Sequence, residues 1–205
     1  MNRLGWMFSV VLAARVLAAP APEIEIKLAH NGAEEARTKD QLNRLLQQYP
    51  LARWYFTRSI VIDEKAIPHS HPTLTLHTRH LKDDDLLLST FVHEQIHWFL
   101  DSRADETKEA ENELKALFSK LPVGFPDGAQ DEESNYLHLL VNFLEWRSDK
   151  ELLGELRARQ IMEFWAHDHY RVLYQTVLEH AHEIGTIIAK HHLDLPTESA
   201  PEASH

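Results

Sequence analysis

The 205-residue chain sets 21 Lys and Arg against 32 Asp and Glu, a formal net charge of −11, and 43% of its residues are hydrophobic. That acidic balance excludes nucleic acid as the principal partner, because phosphate binding needs clustered basic side chains. With no cysteine there are no disulfides, thiolate ligands or thiol nucleophiles, so any chemistry falls to the 15 histidines, the carboxylates and the hydroxyls.

Arg3, an apolar run from Leu4 to Ala14, and then Val16-Leu17-Ala18 have the layout of a secretory signal peptide over residues 1–18. The run is too short to span a bilayer. A secreted or periplasmic protein is expected, with no stable membrane span after signal cleavage. Residues 19–192 read as one domain, and 193–205, LDLPTESAPEASH, have the composition of a disordered tail.

A short strand is expected over Glu23–Leu28, where Ile24 and Ile26 alternate with charge. A helix over Thr38–Gln48 follows, with Leu42, Leu45 and Leu46 on one face and Pro50 as its stop. Ser59–Asp63 and Thr73–His80 read as two further strands. Asp83, Asp84 and Asp85 supply an N-cap and first-turn negative charge for a helix running to about Asp101. A charged helix over Glu106–Lys120, a Pro/Gly loop, a helix over Glu133–Gln160 with a break near Gly154, and a last helix over Asp168–His191 complete the chain. The fold class is α+β and predominantly α-helical. A small N-terminal sheet, whose edge strand precedes the helix of residues 84–101, leads into a helical bundle.

That helix contains FVHEQIHWFL, residues 91–100. Positions i and i+4 share a helix face, so His93 and His97 can grip one metal ion, while Glu94 points aside and can act as a base. Zinc lowers the pKa of a bound water toward about 7, which makes a nucleophile at neutral pH. The flanking Phe91, Val92, Ile96 and Phe99 make two imidazoles and a carboxylate costly to bury without partners. A third ligand is sought in NYLHLLVNFLEWRSDKE, residues 135–151. On this otherwise apolar helix His138, Asn142, Glu145 and Asp149 fall within about 60° of one another at 100° per residue.

HEQIH followed by EWRSD resembles the signature of gluzincins, the thermolysin-like zinc metallopeptidases. The resemblance implies Zn2+ held by His93, His97 and Glu145, with Glu94 as general base and Asp149 orienting the His93 ring. His138 stays open as the alternative third ligand, and Asn142 lies beside it on the same stripe. Gluzincins lay a peptide along the strand before the first helix, which is Thr73–His80 here, and draw an oxyanion donor from a later segment. In WAHDHYRVLY the candidates are His169 and Tyr170. The implied partner is a peptide or protein substrate. A second reading is a non-catalytic metal-binding or chaperone-like protein, whose structural zinc is closed off by both His138 and Glu145. The histidines of HSH (69–71), HTRH (77–80), HAH (180–182) and HH (191–192) lack matched carboxylates at helical spacing and read as surface groups.

Overall fold

The computed structural model describes residues 24–197, so the expected signal peptide and residues 198–205 lie outside the described part. Three strands, β1 (Glu25–Leu28), β2 (Ser59–Ile62) and β3 (Leu74–Leu76), form an all-parallel sheet in the order β1-β2-β3. Helix α1 (Ala33–Gln48) connects the first two and buries Leu42 and Leu45. It begins five residues before the expected Thr38. The reason is Glu35, whose carboxylate accepts from the Gly32 amide (3.2 Å) and caps the first turn, a job the sequence pattern did not reveal.

β3 is shorter than the expected Thr73–His80. Its partner β2 ends at Ile62, opposite Leu76, so the ladder has nothing further to pair with. The chain turns instead through a 3₁₀ segment, Thr78–His80, where His77 Nδ1 accepts from the Arg79 amide. The outer edge of β3 is also taken. His69 and Thr75 exchange both backbone hydrogen bonds (3.1 and 2.8 Å), so a peptide cannot add at Thr75 while that bridge stands.

Helices α2 (Asp84–Asp101), α3 (Ala104–Leu117), α4 (Glu132–Leu153), α5 (Glu155–Asp168), α6 (Arg171–Glu179) and α7 (Ala181–Lys190) make the bundle. Asp83 caps α2 as expected, accepting from Leu86 N at 3.1 Å. α4 is the central element, packed by α2, α3, α5, α6 and α7. The break near Gly154 is real. This residue sits at φ +85°, a conformation glycine adopts without Cβ strain, and separates α4 from α5. The expected helix over Asp168–His191 is three pieces: Asp168 closes α5, and His180 divides α6 from α7.

One apolar core runs from Ile60, Ile62, Leu74 and Leu76 of the sheet through Phe91, Leu139 and Leu140 to Ile184 and Ile188. Leu193 is fully buried in it, so packing continues past residue 192. Gln95 ties α2 to the loop before β2. Its Oε1 accepts from the amides of Phe56 and Thr57 (2.8 and 2.9 Å), and its Nε2 donates to the Thr57 carbonyl. No helix among the described residues is long and apolar enough to cross a membrane.

Candidate metal centre

α2 is buried on nearly every side from Leu86 to Ile96, so its polar residues go inside with its apolar ones. His93 and Glu94 are 7% and 6% exposed. Facing them, α4 carries the polar stripe inward: Asn142, Glu145 and Asp149 are all buried. The stripe therefore faces neighbouring helices, not solvent, and each member must find a partner there or bear the desolvation cost.

Three imidazoles meet between these helices. One ring nitrogen from each of His93, His97 and His138 lies within 4.8 Å of the others, and the Nε2 atoms of His93 and His97 are 3.3 Å apart. Partners on the far sides fix the tautomers. His93 Nδ1 donates to Glu145 Oε2 (2.9 Å), and His138 Nδ1 donates to the Ser134 carbonyl (2.7 Å). Both rings thus turn an Nε2 lone pair toward the cluster. Burial and the neighbouring His93 keep His97 neutral well below its usual range, and burial takes His138 down to about 3. Burial also acts to lower His93, but the adjacent Glu145 carboxylate outweighs it.

A divalent ion suits this arrangement. Zinc–imidazole bonds run about 2.0–2.1 Å, and at a tetrahedral angle two of them set their nitrogens about 3.3–3.4 Å apart. The His93–His97 separation is of that size. Each ring with a known far-side partner has the hydrogen-bonded support usual for a metal-binding histidine.

The two carboxylates stand elsewhere than expected. Glu145 does not point its oxygens at the open face of the rings. It lies behind His93, where Ser89 Oγ (2.5 Å), His93 Nδ1 and Tyr174 Oη (3.0 Å) all donate to it. The place expected for Glu145 beside the two imidazoles is taken by His138, two helical turns earlier on the same stripe. The place expected for Asp149 behind His93 is taken by Glu145. Asp149 stands one step further out, 3.0 Å from Ser89 Oγ. Asn142 is fully buried, and neither of its side-chain polar atoms has a protein partner among the described residues.

Glu94 follows His93 on the same helix. Burial pushes its carboxyl up to about 7, with Glu145 adding to the rise and His93 opposing it. Tyr170 comes to the cluster from the start of α6. Its φ of +49° turns the chain sharply, and its ring lies 4.4 Å from that of His138. Burial first, and then the Glu94 charge, raise the Tyr170 hydroxyl. His169 stands behind Tyr170 against Trp165 and Tyr174, its Nδ1 on Asp168 (2.9 Å), which in turn holds Arg79.

Sequence reasoning missed Ser89 and Trp165, and passed over Tyr174 in WAHDHYRVLY in favour of His169 and Tyr170; these three complete the buried network. A signal for Ser89 existed: it lies four residues before His93, on the same face of an apolar helix. His80, read as a surface histidine, is buried against Phe164 and Trp165, and burial lowers it to about 4. A second carboxylate–histidine group, His30, Glu35 and Asp63, differs in kind. There Glu35 already accepts from the amides of His30, Gly32 and Glu64, which makes it a structural joint. Beside His97 opens a cavity of about 470 Å³, floored by Leu100 and Leu137 and rimmed by Ser70, Asp101 and Lys108.

No protein-family model, curated protein or solved structure matches the chain, so the site is read from its own residues.

Proposed function

We propose that the protein is a zinc-dependent hydrolase acting on peptide bonds, with His93, His97 and His138 as the metal ligands and Glu94 as general base. The observation that carries this reading is the convergence of three imidazole nitrogens beside the buried carboxyl of Glu94. A bound zinc would supply a Lewis acid for the scissile carbonyl and an acidified water. Glu94 takes the proton of the attacking water and returns it to the leaving amine; a carboxyl near pH 7 is matched to both transfers. The Tyr170 hydroxyl is the donor for the developing oxyanion, and the cavity beside His97 receives a substrate side chain. His169 packs edge-on against Tyr170 and helps hold its ring in place.

A three-histidine set departs from the gluzincin pattern, in which a glutamate completes the ligands. It also favours catalysis over a closed structural zinc. With Glu145 hydrogen-bonded behind His93, the protein would offer a bound zinc three ligands and leave it open to water or substrate. Export, expected from residues 1–18, is part of the same proposal and suits a peptidase built without cysteine.

The test is metal analysis of the purified protein together with cleavage of a peptide library. About one zinc per chain and chelator-sensitive cleavage are expected. Glu94→Gln should keep the zinc and lower turnover by about 10²–10⁴-fold. Metal-free protein, or full activity in Glu94→Gln, overturns the reading.

A further inference from the structure

Two carboxyl groups, Glu145 and Asp149, lie one helical turn apart on α4, and both touch the same hydroxyl. Ser89 Oγ is 2.5 Å from Glu145 Oε1 and 3.0 Å from Asp149 Oδ2. The indole Nε1 of Trp165 reaches the same oxygen at 3.2 Å. A serine hydroxyl has one proton to give and two lone pairs. The indole is a donor only and takes one lone pair. The serine can then donate to one carboxyl and must accept from the other, so one of the two acids carries a proton.

The surroundings decide which. Glu145 accepts on its other oxygen from His93 Nδ1 and Tyr174 Oη, three donors in all, which is how a buried carboxylate anion is made tolerable. Asp149 is its opposite. Its Oδ1 has no partner, and no cation pairs with it among the described residues. Asp85, the other acid near enough to act on it, is paired with Arg157. A buried anion with one bare oxygen would be prohibitive, whereas a neutral acid leaves bare only a carbonyl oxygen.

We propose that Asp149 is a neutral carboxylic acid and a positioning residue, donating its Oδ2 proton to Ser89 so that Ser89 donates in turn to Glu145. The chain of donors runs Asp149 to Ser89 to Glu145, and meets the donor from His93 at the same carboxylate. Glu145 is thereby kept oriented, and it holds the His93 tautomer that turns Nε2 toward the cluster. Burial, and then repulsion from Glu145, raise Asp149 well above the usual carboxylate range, in agreement with the proton count. The positioning role rests on His93 being a metal ligand. The proton assignment does not.

Infrared spectroscopy of full-length protein labelled with ¹³C-aspartate tests the assignment at pH 8. A protonated-aspartate carbonyl band is expected in the wild type and should vanish in Asp149→Asn. Absence of that band in the wild type overturns the proposal, whether or not the protein binds zinc. Titration with zinc alone tests the role. Asparagine donates to Ser89 as the neutral acid does, so Asp149→Asn should lose less zinc affinity than Asp149→Ala, which cannot donate. Glu145→Gln, which cannot accept from all three donors, should lose about 10–100-fold. Equal losses in Asp149→Asn and Asp149→Ala would overturn the donor chain. If no protein in the series binds zinc, the hydrolase reading fails and the infrared result still judges the proton.

Discussion

Two buried glutamates in this chain each hold the Nδ1 of a histidine at nearly the same distance: Glu35 with His30 at 3.0 Å and Glu145 with His93 at 2.9 Å. Their other donors differ. Glu35 collects the backbone amides of His30, Gly32 and Glu64, and so joins the end of β1, the start of α1 and the loop after β2. Glu145 collects side chains alone, Ser89 from α2 and Tyr174 from α6. Backbone amides need a partner wherever a chain turns indoors, so Glu35 answers a requirement of folding. The Glu145 network meets no such requirement; an apolar core of Leu and Phe would fill that space at lower cost. What it does is aim one ring at two others. A buried ion surrounded by side chains marks a site, and one surrounded by amides marks a joint.

The strongest way to break the comparison is to remove a ring from the cluster. His138→Ala should drop zinc from about one per chain to under a tenth, with helicity by circular dichroism retained. Wild-type zinc content in that variant would show that His138 is no ligand and return the third position to a carboxylate.

The converse acts on the joint. Glu35→Ala leaves three amides without their acceptor and should cost about 2–3 kcal/mol in urea denaturation, with zinc content unchanged. Its pH dependence has a definite sign. Burial works to raise Glu35, but the hydrogen bonds from His30, Glu64 and Gly32 outweigh it and hold the group at about 2, below its ordinary 4.5. A lowered carboxyl stabilises the fold fully above pH 4.5 and loses that contribution as the pH falls toward 2. The gap between wild type and Glu35→Ala should therefore close over that window. His80 acts earlier in an acid titration of the wild type. Burial lowers it to about 4, so protonation destabilises the fold as the pH drops from 6.5 toward 4. A Glu35→Ala gap that stays constant from pH 6 to 2 would mean that the carboxylate is not what the amides hold.

The helices and the two-histidine motif were legible because periodicity and capping are local. Asp83 caps α2 and Gly154 breaks α4 from α5 for reasons contained within a few residues. The helix start at Ala33 was not legible, because its cap, Glu35, answers to Glu64 across 29 positions. The stripe on α4 told which residues face inward, but not which of His138, Glu145 and Asp149 stands at which depth. The offset between α2 and α4, one turn for the carboxylate and two for the imidazole, decides that, and helix register against a neighbour is set by packing, which a single helix does not encode. Glu145 accordingly took the orienting place expected of Asp149, and His138 the place expected of Glu145.

The smallest expected effect is the sharpest control. His30→Ala removes a ring that makes the same bond to a glutamate as His93 does, in the same Nδ1 geometry. The His30 side chain is 37% exposed, however, and Glu35 beneath it keeps all three backbone amides, including that of residue 30 itself. Solvent screening and the retained amides limit the loss to at most about 1 kcal/mol. Zinc content should not move. If His30→Ala costs as much as Glu35→Ala, the ring and not the backbone holds that carboxylate. The distinction between joint and site would then have to rest on burial alone.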